Sequence, residues 1–245
     1  MPYDARAVLF DAGATLLLPT IDIADVYLRE AEAIGAAPDP VAFRAHLVAS
    51  WTRLRGAGPD AASLQTSEAD ERGMWHRFTA EVAAPFERLA ARHAPWLERL
   101  VAWFDAPAAW TPAPGALDLL SLLRARGSKV GVVSNWHGAL HRILEALGFT
   151  GSLDFVLISS EHGFRKPHAS IFEAALKAAG TPAAAAVHVG DALRDDVAGA
   201  LGAGIRAILV AAERPAALPH GVRWVPDLRS LLPPGLASRH ARGPE

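Results

Sequence analysis

The stretch VLFDAGATL, residues 8–16, decides how the fold of this chain is interpreted. An apolar run ends on one carboxylate, Asp11, and small turn-forming residues, a hydroxyl and further apolar residues follow it. This order is typical of a buried strand that ends at Asp11, with a loop that turns back over the strand end. Because a buried carboxylate is costly unless it meets a cation or several donors, the rest of the chain has to supply partners for Asp11. Taken alone, the stretch also fits an aspartate that merely ends a strand at a turn.

The composition is that of an ordinary globular chain, long enough for a full core and a second, small domain. Of 245 residues, 51% are hydrophobic and 20% are charged, and the formal net charge is −2. A charge near zero without a basic cluster argues against a nucleic-acid surface, and no apolar run approaches the roughly 20 residues of a membrane span. The absence of cysteine excludes disulfides, thiolate zinc sites and a cysteine nucleophile. With no signal peptide in view, we expect a cytoplasmic monomer or homodimer without nucleic-acid or membrane partners.

Residues 17–105 show helical spacing of apolar residues and nothing that alternates like a strand. The helical patterns cover residues 21–35, 40–55, 67–83 and 85–104, and a Gly/Ala/Ser/Pro-rich loop is predicted at 56–66. We therefore predict a helical block placed directly after the first strand.

After Pro107 the pattern changes to apolar strands that alternate with helices. Strands are predicted at residues 129–135, 155–158, 186–191, 207–210 and 222–225, and helices at 115–126, 137–147, 168–179, 195–203 and 228–232. This alternation implies parallel pairing with right-handed crossovers, and the near-continuous apolar strands imply a sheet that is covered on both faces. The predicted fold class is therefore α/β with a doubly wound parallel sheet.

Polar residues end three of the predicted strands. They are Asp11, the pair Ser134-Asn135, and the pair Gly190-Asp191. In open parallel sheets the binding crevice lies outside the carboxyl ends of the strands. We therefore predict that these residues share one site, because three such endings after apolar runs are hard to attribute to turn formation alone.

Four motifs in this order resemble those of the haloacid dehalogenase-like hydrolases, a superfamily of aspartate-nucleophile phosphatases. They are residues 10–16, residues 132–135, Arg165-Lys166-Pro167 followed by Ile171-Phe172, and Val189-Gly190-Asp191 with Asp195-Asp196 and Gly199-Ala200. Together the four are specific, whereas the first alone is weak. The resemblance implies a Rossmann-like core over residues 1–16 and 106–232 and a helical cap of the family's first type over 17–105. Residues 233–245 are left as a mobile tail.

The resemblance implies that Asp11 is a nucleophile, which attacks phosphorus and forms an aspartyl-phosphate. It also implies Mg²⁺ as the cofactor, because two anions approach each other in this step and Mg²⁺ prefers oxygen ligands. Asp11 and Asp191 would supply carboxylates and Gly13 its backbone carbonyl. Asp196 would hold a metal-bound water or orient the ligands. For Asp195, a carboxylate favoured by the helix N-terminus is the preferred interpretation.

The same resemblance assigns the phosphate-binding residues. Ser134 and Asn135 would donate hydrogen bonds to the phosphoryl oxygens. Lys166 would neutralise Asp11 and the charge that develops in the transition state. The expected substrate is a small phosphorylated molecule. His137 could also reach the site, although an exposed helix start is the preferred interpretation.

The first motif departs from the family pattern at Gly13. The family usually carries a second aspartate there, which protonates the leaving group, later activates water and is typically worth about 10²–10⁴-fold in rate. Three alternatives follow, and in the first the chain is a phosphatase for esters with good leaving groups, or one that uses a cap residue or water as the acid. It could also be a 2-haloacid dehalogenase, although those relatives carry an aromatic residue at this position and typically lack the Gly-Asp metal motif. The third alternative is a weakened binding or regulatory protein, against which the retained Asp11, Lys166 and Asp191 argue.

Overall fold

The computed structural model describes residues 2–56 and 64–237, and its centre is a parallel β-sheet. The strands are β1 (Ala7–Phe10), β2 (Leu17–Pro19), β3 (Trp110–Pro112), β4 (Lys129–Ser134), β5 (Phe155–Ile158), β6 (Ala186–Gly190), β7 (Arg206–Val210) and β8 (Arg223–Val225). Six of them form the sheet in the order β5-β4-β1-β6-β7-β8, with every neighbouring pair parallel. The predicted α/β class with a doubly wound parallel sheet is confirmed.

Helices connect the strands, and those that follow β3 cover both faces of the sheet. They are α1 (Ile23–Ala33), α2 (Pro40–Gly56), α3 (Glu68–Ala83), α4 (Glu87–Ala90), α5 (His93–Phe104), α6 (Ala116–Ala125), α7 (Ala139–Ala146), α8 (Ser159–His162), α9 (Ala169–Ala179), α10 (Gly199–Gly202) and α11 (Pro234–Ala237). A π-helical turn, Leu193–Ala198, directly precedes α10, so the helix predicted at 195–203 begins earlier and with a wider turn.

Strand β1 shows why the sheet is covered on both faces. Val8 and Phe10 are fully buried in one apolar cluster with residues of α6 and α7. Ala7 and Leu9 are fully buried in a second cluster with residues of α9 and α10. Because successive strand residues point to opposite faces, an unbroken apolar run is what a strand between two helical layers requires.

Helices α1 to α5 pack around an apolar cluster of their own. The cluster includes Tyr27, Phe43, Phe78 and Trp96, and the Trp96 indole N–H donates to the backbone oxygen of Tyr27 at 3.1 Å. Tyr27 and Trp96 also pack edge to face, with ring centroids 5.7 Å apart. These buried aromatic side chains hold the five helices together, so the predicted helical block has a core that is separate from that of the sheet.

The prediction that residues 17–105 contain no strand is wrong at its first three residues. Strand β2 pairs antiparallel with β3, which lies outside the helical block, and Leu17 faces Pro112 in this pairing. A Leu-Leu-Pro segment carries no alternation, and its partner is distant in the sequence, so the pairing is visible only in the folded chain. The two strands stand where the chain leaves the core and returns to it.

The end of the chain is described only in part. Residues of the predicted mobile tail form the short helix α11, while 238–245 lie outside the described residues, as do residues 57–63 of the predicted loop. Across residues 2–56 and 64–237, no helix combines the length and the apolar composition that crossing a bilayer requires.

Candidate active site

The sheet order brings three strand ends together at one edge. Strand β1 lies between β4 and β6, and the backbone N–H of Asp11 donates to Val189 of β6 at 2.9 Å. Ser134, the last residue of β4, donates its hydroxyl to Asp11 Oδ1 at 2.8 Å. Asp11 is only 8% exposed, so its carboxylate depends on such partners. The sequence-predicted Asp11 and Ser134 are therefore in direct contact.

Lys166 is the cation that the buried carboxylates meet. Its ammonium group donates to Asp11 Oδ1 at 2.7 Å and to Asp196 Oδ1 at 2.6 Å, and the residue is 2% exposed. Burial by itself would lower the pKa of Lys166, but the charges of Asp11 and Asp196 outweigh burial and raise it above its ordinary value. Lys166 is therefore charged throughout the physiological pH range.

Asn135 holds the backbone of Lys166 from both sides. The Lys166 N–H donates to Asn135 Oδ1 at 2.7 Å, and Asn135 Nδ2 donates to the Lys166 carbonyl oxygen at 3.1 Å. The same nitrogen lies 3.4 Å from a carboxylate oxygen of Asp195. The structure thus places Asn135 as a support for the Lys166 loop, and its contact with a phosphoryl oxygen stays a prediction.

Asp196 is held against the end of β6 by three donors. Its Oδ1 accepts from Lys166 and from His188 Nε2, the latter at 2.8 Å, and its Oδ2 accepts from the Ala192 N–H at 3.0 Å. A Cβ on Gly190 would lie 2.2 Å from the Asp196 carboxyl carbon, so only glycine lets this carboxylate approach the strand. Burial would raise the pKa of Asp196, but Lys166 and His188 hold it below its usual range.

Three carboxylates at this edge could hold a metal ion. Asp11, Asp191 and Asp196 each offer an oxygen, and these oxygens all lie within 4.8 Å of one another. A divalent cation suits such a group of carboxylate oxygens, because its charge offsets the carboxylates that approach one another here. Carboxylate oxygens are the ligands of hard cations such as Mg²⁺, and the residues present therefore fit such an ion.

Comparison with known proteins decides the family. Residues 5–204 match the family model described as haloacid dehalogenase-like hydrolase. This chain belongs to the haloacid dehalogenase-like hydrolases. A relative from Bos taurus, haloacid dehalogenase-like hydrolase domain-containing protein 3, is 34% identical over 234 residues, which are 89% of this chain and 93% of the relative.

Two further proteins similar to this hydrolase carry names that state an activity. The pyrimidine 5′-nucleotidase YjjG of Escherichia coli (strain K12) is 38% identical over 93 residues, 37% of this chain and 41% of that protein. The crystal structure of a HAD phosphatase from Thermococcus onnurineus superposes with a TM-score of 0.60 at 22% identity, covering 92% of this chain and 95% of that one. At that identity the likeness shows the fold alone.

Asp195 lies beside the carboxylate cluster of this haloacid dehalogenase-like hydrolase, inside the π-helical turn Leu193–Ala198. Burial raises the pKa of its carboxyl group, the neighbouring Asp196 adds to this effect, and Lys166 opposes it. Asp195 lies in the first turn of this segment, near the helix N-terminus where the sequence placed it. Its carboxylate also contacts Asn135, which the sequence did not predict.

Segments of the helical block contact the loop that carries Lys166. The buried carboxylate of Glu71 in α3 accepts from Ser159 Oγ at 3.2 Å and lies 3.4 Å from Arg165. His137, preferred as an exposed helix start, is instead half-buried, with Nε2 3.4 Å from Asp105 and Nδ1 4.0 Å from Glu68. The helical block therefore contacts the core next to the loops that carry Lys166 and Asn135.

Two residues of this site, His188 and Trp136, are not predicted from the sequence. His188 is a fully buried imidazole inside the apolar run of β6, and such a polar residue in an apolar strand signals a buried partner. The ring of Trp136 lies next to Gly13, at 3.2 Å from where a Cβ on that glycine would stand. No sequence pattern indicates this second contact, since it joins two loops that are distant in the chain.

Proposed function

We propose that this hydrolase cleaves small phosphate monoesters, with Asp11 as the nucleophile and Mg²⁺ as the cofactor. The observation that carries the proposal is the position of Lys166, whose ammonium group bridges Asp11 and Asp196 inside the three-carboxylate cluster. An anionic nucleophile can attack an anionic phosphate only where cations neutralise both groups. Lys166 supplies one such charge, and a metal ion held by the three carboxylates would supply a second.

Asp11, Asp191 and Asp196, together with the backbone carbonyl of Gly13, would hold the metal ion. A bound Mg²⁺ supplies positive charge that offsets the phosphoryl oxygens and the Asp11 carboxylate. The phosphoryl group would be bound by Ser134, Asn135 and Lys166. Ser134 and Asn135 lie at the carboxyl end of β4, and Lys166 contacts Asp11. These assignments stay proposals for this chain.

In the proposed reaction, a carboxylate oxygen of Asp11 forms a bond to phosphorus, and the bond between phosphorus and the leaving oxygen breaks. The electron pair of the broken bond stays on the leaving group, and Asp11 becomes an aspartyl-phosphate. Water then attacks phosphorus, the bond to Asp11 breaks, inorganic phosphate is released with the second proton passing to solvent, and the carboxylate is restored. Lys166 stays charged throughout and holds the aspartate in place.

The similarity to a nucleotidase over part of the chain supports a phosphorylated substrate. The retained Asp191 and the carboxylate cluster favour the phosphatase over a 2-haloacid dehalogenase, whose halide leaves without a metal. They also argue against a purely regulatory role, since a protein that only binds has no need of a buried Lys-Asp pair beside three clustered carboxylates.

Hydrolysis of 4-nitrophenyl phosphate by the purified full chain tests the proposal. We expect turnover with Mg²⁺ and a loss of at least about 10²-fold when EDTA removes the metal, since the charge that offsets the phosphoryl oxygens is then lost. Halide release from 2-chloropropionate, measured in EDTA, is expected at background. Halide release without phosphate hydrolysis would establish the dehalogenase instead. A partner retained in a pull-down, with no turnover of any phosphate, would establish the regulatory role.

His188 is expected to matter for metal affinity, because it donates to the Asp196 carboxylate from inside the core. Partners of this kind are typically worth about 10–100-fold in affinity or activity. Titration calorimetry with Mg²⁺ and no substrate should show weaker binding for His188→Leu and a smaller loss for His188→Gln, whose amide can still donate. His93→Leu, in the helical block, is the control. Equal affinities for His188→Leu and the unmodified chain would contradict this role.

A further inference from the structure

A side chain at residue 13 would leave the backbone toward the indole ring of Trp136. A Cβ built on Gly13 would lie 3.2 Å from Trp136 Cζ3 and 4.0 Å from Cε3, and within the described residues nothing else beyond its chain neighbours comes as close. The backbone at Gly13 does not have the left-handed conformation that requires glycine. A left-handed backbone therefore does not account for glycine at this position, whereas any side chain here would bring its Cβ into tight contact with the ring.

Trp136 is held in place from several sides. Its ring packs edge to face on Trp110, with centroids 5.0 Å apart at an interplanar angle of 63°. Trp110 is itself buried, and its indole N–H donates to the Phe104 carbonyl oxygen at 2.9 Å. The Trp136 carbonyl oxygen accepts from Ser159 Oγ at 3.2 Å. Moving the ring away from Gly13 would therefore disturb a packed aromatic pair at the junction of the core and the helical block.

The ring carries no group that can protonate an alkoxide. Trp136 follows directly on Ser134 and Asn135, and Gly13 lies two residues after Asp11, so the ring stands between the two loops of the proposed phosphate site. The neighbouring imidazole of His137 faces the carboxylates of Asp105 and Glu68 instead. An aryl or carboxylate leaving group needs no proton in order to depart, whereas an alkoxide does.

We propose that Trp136 determines specificity in this hydrolase by keeping position 13 free of an acid, so that its substrates are phosphates whose leaving group departs as a stable anion. Acyl phosphates and phenol-type phosphates belong to this class, and simple alkyl phosphates do not. This inference rests on the proposed phosphatase function. In the step concerned, the bond from Asp11 to phosphorus forms and the leaving oxygen departs with its electron pair. An aryl or carboxylate oxygen leaves as the anion, whereas an alkoxide oxygen would have to take a proton from water.

A leaving-group series measures the effect directly. We would determine kcat/KM for acetyl phosphate, for aryl phosphates of graded phenol acidity, and for the alkyl esters ethyl phosphate and a pyrimidine 5′-monophosphate. The unmodified chain should prefer the acyl and the most acidic aryl phosphates over the alkyl esters by at least the 10²–10⁴-fold that a general acid is typically worth. The rate should also fall steadily along the aryl series.

Variants at both positions separate the ring from the missing acid. Gly13→Asp alone should gain less on alkyl phosphates than the double variant described next, because its Cβ would already be in tight contact with Trp136. Gly13→Asp combined with Trp136→Ala should raise the ratio of alkyl to aryl rates by about 10²-fold, the lower end of a general acid's contribution. Two controls should leave the ratio of alkyl to aryl rates near that of the unmodified chain. Gly13→Ala combined with Trp136→Ala removes the indole ring but adds no carboxyl group. Trp136→Phe keeps an aromatic ring next to Gly13.

Two results would overturn the inference while leaving the phosphatase function intact. One is a rate that does not depend on the leaving group in the unmodified chain, a comparison that does not require any variant to fold. The other is a Gly13→Asp variant that gains as much on alkyl phosphates as the double variant does. Absence of hydrolysis for every phosphate in the series would overturn the proposed function itself, and the inference with it.

Discussion

Replacing Asp11 by asparagine is expected to lower phosphate hydrolysis by about 10³-fold or more, since the nucleophile and one proposed metal ligand are lost together. The asparagine side chain has the size of the carboxylate, and its amide oxygen can still accept the hydrogen bond from Ser134, so the fold should persist. Steady-state rates with 4-nitrophenyl phosphate measure the loss. Acid quenching during turnover, followed by peptide mass analysis, should find a phosphoryl group on the Asp11 peptide of the unmodified chain.

Asp154→Asn is a matched control, because the side chain of Asp154 is also partly buried and pairs with a lysine. It accepts from the Val130 N–H at 2.8 Å and from Lys129, near the amino ends of β4 and β5 and away from the carboxylate cluster. This variant should lose stability without losing turnover per folded molecule. If Asp11→Asn kept the unmodified rate, Asp11 would not be the nucleophile.

Replacing Lys166 by methionine is expected to destabilise the protein by about 3–5 kcal/mol, because two buried carboxylates lose their common cation. Urea denaturation in EDTA at pH 7 measures this change in the free energy of unfolding. The same substitution at Lys129, an exposed lysine paired with Asp154, should cost no more than about 1 kcal/mol. Adding Asp11→Asn to Lys166→Met should recover part of the loss, since one unpaired charge is then removed.

The pH dependence of this loss has a defined sign. Asp196 has a pKa below its ordinary value, so the stability that it contributes is present above the carboxyl range and is lost as the pH falls through it. Without Lys166 that contribution shrinks. The gap between the unmodified chain and Lys166→Met should therefore be widest near neutral pH and should narrow under acid conditions. A gap that stays constant from neutral pH to well below the ordinary aspartate pKa of about 4 would show that the loss comes from packing and not from charge.

Much of the core could be predicted from local patterns in the sequence. A strand between two helical layers has to be apolar on both faces, so the runs that end at Asp11, Ser134 and Gly190 reveal a parallel sheet. Since parallel strands end at one edge, the same runs indicate where the site lies. The helical block was equally visible, because each helix buries one face and repeats its apolar residues accordingly.

The pairing of β2 with β3, the contact of His188 with Asp196 and the ring of Trp136 against Gly13 were decided only by the tertiary structure. Each joins segments whose contact leaves no periodic pattern in either of them. Gly13 shows the difference most clearly: the sequence by itself determined that no acid stands two residues after Asp11. Only the folded chain shows that the packed indole ring of Trp136 lies next to that position, because the contact joins two loops that are distant in the sequence.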